Sequence, residues 1–182
     1  MAKIYFVTGH IASGHRQLAG DLVDVLRSHY DNDKIFCQDF GKDNNIADYG
    51  STPPDAILFE ISNMLSYHDH IEVFVFTGWQ LLENIQAIYD QYKDTATFIV
   101  VKARTPETIK LFSRQKLRNI TSSTISASLA TELTAIDSFF TNNSLTADWM
   151  IVGDPIFNSD LSVNVTETPS TISNMITVLG TM

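Results

Sequence analysis

The chain has 182 residues, 44% of them hydrophobic and 18% charged, with a formal net charge of −9. That length suits one domain with a sizeable core, and the low charge content excludes a disordered, solvating chain. An acidic chain repels phosphate backbones, which excludes general nucleic-acid binding but still permits a locally positive pocket. One cysteine, Cys37, excludes an internal disulfide and suits a reducing compartment. No signal-peptide pattern and no apolar run of membrane-spanning length are present, so the expectation is a cytoplasmic protein with no membrane partner.

Lys3-Ile4-Tyr5-Phe6-Val7-Thr8 is a continuous β-branched and aromatic run closed by Gly9, the pattern of a strand buried on both faces. From His15 to Ser28, Leu18, Leu22, Val25 and Leu26 recur at helical spacing. Lys34 to Gln38 reads as a second strand, followed by a polar loop from Asp39 to Ser51. Thr52 and Pro53 open a helix as cap and first residue, with Ile57, Leu58, Ile61 and Leu65 on its apolar face. Ile71 to Thr77 is a third strand. Leu81, Leu82, Ile85, Ile88 and Tyr89 line one helix behind it, and Thr97 to Lys102 is a fourth strand. Thr105-Pro106 starts a helix by the same logic as Thr52-Pro53. Ile125, Leu129, Leu133, Ile136 and Phe140 form a long amphipathic stripe, Trp149 to Val152 a fifth strand, and Thr168-Pro169 opens a last helix. The Ser/Thr-rich stretch Thr121 to Ser128 is expected to be the mobile part. Strands separated by helices pair in parallel through right-handed crossovers. The expected fold is therefore a three-layer α/β/α domain with a five-stranded parallel sheet, spanning residues 1–182.

The first strand runs into Gly9-His10-Ile11-Ala12-Ser13-Gly14-His15-Arg16-Gln17. Two glycines with four residues between them, set between a buried strand and an amphipathic helix, are the frame of a phosphate-binding loop. Gly lets successive backbone N–H groups turn inward around an anion, and the helix behind adds a positive dipole end. The next two positions depart from the motif. His15 stands where Lys reaches the terminal phosphates, and Arg16 stands where a hydroxyl holds Mg²⁺. A guanidinium and a dication ~4 Å apart repel by roughly 8 kcal/mol at an effective dielectric near 20. Arg16 must therefore point away or replace the metal. The alternative is that His15 and Arg16 are solvated first-turn residues.

On this loop and the order of its elements, the chain resembles the nucleoside and nucleotide kinase branch of the P-loop NTPase proteins. The resemblance implies that Asp39, at the end of the second strand, is the acceptor base. It also implies a lid-like segment near 104–128, whose Arg104, Arg114 and Arg118 face phosphates; Arg114 and Arg118 share a helical face. It places Gly9, Ala12, Ser13, Gly14, His15, Arg16 and Gln17 around a nucleotide such as ATP. Where many members carry an acidic residue after the third strand, this chain has Thr77, within Phe76-Thr77-Gly78-Trp79. Phosphoryl transfer depends on positioning and charge neutralisation, so the losses at positions 15, 16 and 77 make Mg²⁺ doubtful. They point to a degenerate kinase-like protein that binds a nucleotide or a phosphorylated small molecule, with ordinary Mg·ATP transfer impaired or absent. Two alternatives stay open: a working phosphotransferase with Asp39 as base and Arg114 and Arg118 as clamps, and an interaction module with a vestigial pocket. Homo-oligomerisation is compatible with all three.

Three smaller features read as structure. His68-Asp69-His70 is a turn with no third ligand marked. Trp79 and Trp149 belong to the core or a pocket wall, and Cys37 is expected as a buried apolar residue in its strand.

Overall fold

The computed structural model describes residues 1–10, 13–41, 53–103, 122–145 and 150–153. Its elements are β1 (Lys3–Gly9), α1 (His15–Leu26), β2 (Ile35–Asp39), α2 (Pro54–Tyr67), β3 (Val73–Thr77), α3 (Trp79–Glu83), α4 (Ile85–Tyr92), β4 (Ala96–Ala103), α5 (Ser122–Asn142) and β5 (Met150–Gly153). The strands lie in the order β2-β3-β1-β4-β5, and every pairing is parallel.

Alternation along the strands builds two cores. Tyr5, Val7, Val73, Val75, Ile99 and Val101 face α1 and pack on Leu18, Leu22 and Leu26. Their neighbours Ile4, Phe6, Phe74, Phe76, Phe98 and Val100 face the other way, onto Ile57 and Ile61 of α2, Ile88 of α4 and Ile136 of α5. This period of two explains the unbroken apolar runs, since both faces of each central strand are covered. The second face is aromatic. Rings follow one another from Phe36 to Phe74, Phe76, Phe6 and Phe98, with centroids 5.7, 5.9, 5.4 and 5.0 Å apart. The chain of rings continues through Tyr89 to Phe139.

Three expectations are corrected. The stripe from Leu81 to Tyr89 belongs to two helices. Asn84 adopts φ −112°, ψ 18° between them, and the Gln80 carbonyl receives both its Nδ2 at 3.0 Å and its backbone N–H at 3.3 Å. The helix placed after Thr52 starts at Pro54, with Pro53 as its cap residue and no side-chain cap; Thr52 lies outside the described residues. Cys37 is exposed, because α1 covers the centre of the sheet while β2 is its terminal strand. The helices expected from Thr105 and from Thr168 lie outside the described residues, as does Trp149. His68 ends α2 and the chain turns there, the Ile71 N–H donating to the His68 carbonyl at 3.0 Å. Among the described residues no helix is long and apolar enough to cross a membrane.

Candidate functional site

β1 leads into α1 on one face of the sheet, whereas its neighbour β3 leads into α3 and α4 on the other. The loops therefore diverge at the carboxyl end of β1, where open parallel sheets place their ligand crevice. Three strand ends meet there, and each is followed by a glycine: Gly9 closes β1, Gly41 follows β2 and Gly78 follows β3.

Two of these glycines are required by space. A Cβ on Gly9 would lie 2.5 Å from Ser13 Oγ and 2.6 Å from the Val101 carbonyl oxygen. A Cβ on Gly78 would lie 2.6 Å from the Phe40 carbonyl carbon and 2.9 Å from Asp39 Oδ1, and its φ of +119° is itself a glycine conformation. Hydrogen bonds tie the same ends together. Thr8 Oγ1 donates to the Gly78 carbonyl at 2.8 Å in a buried setting, and the Phe40 N–H donates to the Thr77 carbonyl at 2.7 Å.

The loop closes on itself before α1 begins. The Ser13 N–H donates to the His10 carbonyl at 3.0 Å. Gly14 then takes the left-handed conformation, φ 82°, ψ 13°, as the cap residue of α1, and its carbonyl receives the Leu18 N–H at 3.0 Å. The inward turn that the two-glycine spacing predicts thus rests at Gly14 on a φ that other residues rarely adopt.

His15 is not solvated. It is 7% exposed, and His10 beside it is fully buried. Its Nδ1 lies 3.0 Å from Ser13 Oγ, while its Nε2 is buried with no hydrogen-bond partner. Burial pushes the imidazole down to about 3; His10 and Arg16 add in the same direction, and the His10 carbonyl counters in part. A neutral ring folded into the loop thus stands at the position where the motif calls for an ammonium.

Arg16 is half exposed and forms an ion pair with Asp39, its guanidinium on Oδ2. The register explains the meeting. Asp39 and Val7 are both partners of Thr77, so the three side chains form a row on the face that α1 covers. Thr77, in the middle of this row, is 4% exposed and its Oγ1 has no hydrogen-bond partner. The structure therefore brings together Gly9, Ser13, Gly14, His15, Arg16 and Asp39, with Gln17 in the same first turn of α1. Ala12, Arg104, Arg114 and Arg118 lie outside the described residues.

Sequence reasoning passed over Gly78 and Gly41 as site residues, and over the hydroxyl of Thr8. For Gly78 the signal was present, since it directly follows the last residue of a buried strand; Gly41 stands two residues beyond the end of the half-exposed β2. That of Thr8 was hidden, because its partner is 70 residues away.

No family model matches the chain, and no curated protein matches it. Among solved structures, the fold is similar to that of a shikimate kinase from Bacteroides thetaiotaomicron, with a TM-score of 0.53 and 14% identity over 98% of each chain. The likeness is one of fold: this chain has a kinase-like α/β fold with a parallel sheet.

Proposed function

We propose that this protein binds the phosphate end of a nucleotide or of a phosphorylated small molecule at the loop Gly9–Gly14, and does so without the metal-assisted chemistry of a kinase. The observation that carries this reading is the ion pair between Arg16 and Asp39. It puts a cation, balanced by a carboxylate, at the position where the motif calls for a metal-holding hydroxyl. A guanidinium held there disfavours a dication beside it. Thr77 fits the same picture. An acidic residue at 77 would stand in register beside Asp39, two carboxylates that need a shared cation; a neutral Thr leaves one carboxylate there, paired with Arg16. Arg16, Thr77 and the neutral His15 thus form a poor donor set for Mg²⁺ and a serviceable one for an anion.

The same pair weighs against the phosphotransferase alternative, because a base engaged by a guanidinium is a weaker proton acceptor. Calorimetric titration of ATP, GTP and inorganic phosphate, with and without Mg²⁺, tests the reading. Binding is expected to be independent of metal, and Gly14→Val is expected to abolish it, since a β-branched residue cannot hold φ 82°. Metal-dependent binding, or multiple-turnover transfer of phosphate to any acceptor, would overturn the reading. Restoring the motif with His15→Lys and Arg16→Ser is expected to introduce Mg²⁺ dependence.

A further inference from the structure

Arg16 is an unusual residue for its place. It is the second residue of α1, where aligned peptide dipoles already present positive partial charge and where a cation is disfavoured. It therefore calls for an anion, and in this chain Asp39 supplies one. The carboxylate reaches Arg16 from a fixed position. Its Oδ2 meets the guanidinium, while its Oδ1 is packed against the backbone beside Gly41 and Gly78, so closely that a Cβ on either glycine would lie within 3.1 Å of it. The pair itself is open to exchange: the side chains of Arg16 and Asp39 are 44% and 30% exposed, and an ion pair at the solvent boundary is weakly held.

We infer that Asp39 is an internal competitor for the ligand, holding Arg16 until a metal-free terminal phosphate dianion takes the guanidinium over. The inference rests on the loop reading proposed above and adds the class of ligand and the means of discrimination. Asp39 carries one negative charge and is already in place, as if present at millimolar concentration. A monoanionic ligand, whether carboxylate or phosphodiester, offers Arg16 no stronger attraction and has to be brought from solution. A phosphate monoester end carries nearly two charges at neutral pH and three acceptor oxygens, two of which match the guanidinium fork. It can also gain backbone amides of the loop, as an anion at a helix N-terminus does. Magnesium on the phosphate removes this advantage by cancelling the second charge and by placing a dication against Arg16.

The test is a calorimetric double-mutant cycle on the full chain with inorganic phosphate, ADP and Mg·ADP as probes. The proteins are wild type, Asp39→Asn, Arg16→Gln and the double variant, with far-UV circular dichroism confirming that each is folded. Asp39→Asn is expected to tighten phosphate and ADP binding by about tenfold, and Arg16→Gln to weaken it by about as much. In the Arg16→Gln background the Asn substitution is expected to bring no gain, because no guanidinium remains to be released. Mg²⁺ is expected to weaken ADP binding to wild type.

If Asp39→Asn binds no tighter than wild type, the competitor role falls and the loop reading stands. An Asn gain that persists without Arg16 overturns the competitor role too, because the carboxylate then acts only through its general field. If neither wild type nor Asp39→Asn binds phosphate or ADP, the loop reading falls and takes the competitor with it.

Discussion

The two ends of the parallel sheet differ in kind. At the amino ends of β1 and β3 lies a cavity of about 510 Å³, lined by Lys3, Tyr30, His68, Asp69 and Glu72 among others. Polar groups at this end of the sheet are exposed or contact one another. Asp69 and His70 are largely exposed, Lys34 Nζ donates to the His70 carbonyl at 3.3 Å, and Lys3 Nζ stands 5.6 Å from the Tyr30 ring centre. At the carboxyl ends, three glycines bring backbones together, one at φ +119°, and His15 and Thr77 bury polar atoms without partners. The roomy end makes few demands on its residues, while the crowded end makes many. Cost accepted in the folded chain is a better guide to a site than volume.

Substitutions can sharpen or break this contrast. The largest effect is expected from Gly78→Ala, which meets Phe40 and Gly41 backbone at 2.6 and 2.8 Å and strains a positive φ. Urea unfolding should show a loss of about 3 kcal/mol or more, from strain and overpacking together. Gly20→Ala is the control, since nothing lies within 4 Å of its Cβ position; in mid-helix it should stabilise by about 0.5–1 kcal/mol.

Acid comes next. His15 is held neutral down to about 3 in the folded chain. Below ~6.5 the unfolded chain takes up a proton there that the folded chain refuses, so stability falls as pH falls. Between pH 6.5 and the folded value the slope from this group is about 1.4 kcal/mol per pH unit. Unfolding free energies of wild type and His15→Gln across this window should converge toward low pH. Parallel curves would mean that His15 is not held neutral by the fold.

Ser13→Ala removes the hydroxyl beside His15 Nδ1, one buried hydrogen bond, a loss of about 0.5–1.5 kcal/mol in the same unfolding assay. The smallest effect belongs to the amino end. Asp69→Ala should change stability by less than about 0.5 kcal/mol and leave phosphate affinity untouched. A binding loss there would reverse the contrast between the two ends.

The sequence made the sheet legible, because strands covered on both faces read as unbroken apolar runs; β1, β3 and β4 fall within two residues of where Lys3-to-Thr8, Ile71-to-Thr77 and Thr97-to-Lys102 placed them. It misread the helix behind β3, since an apolar stripe carries no mark of the non-helical backbone at Asn84 that divides it. It misread Cys37, because an apolar residue in a terminal strand looks the same on paper as one in a central strand. At the site, the loop could be read from spacing alone, through Gly9 and Gly14. The ion pair of Arg16 could not. Its partner depends on register, on Asp39 falling level with Thr77 and Val7, and register is a property of the assembled sheet. Nor could the burial of His15 be read, since a first-turn position is as often wet as dry.

The row of rings on the far side of the sheet bears on how the site can respond. From Phe36 to Phe98 and on to Phe139, each ring stands within 6 Å of the next. Such a packed layer repacks in discrete steps and does not flex by degrees. It works as an anvil beneath the three strand ends. If the loop takes a phosphate as proposed, the strands beneath it offer a stiff floor, and the exchange at Arg16 would draw on the torsions of its long side chain and not on the sheet.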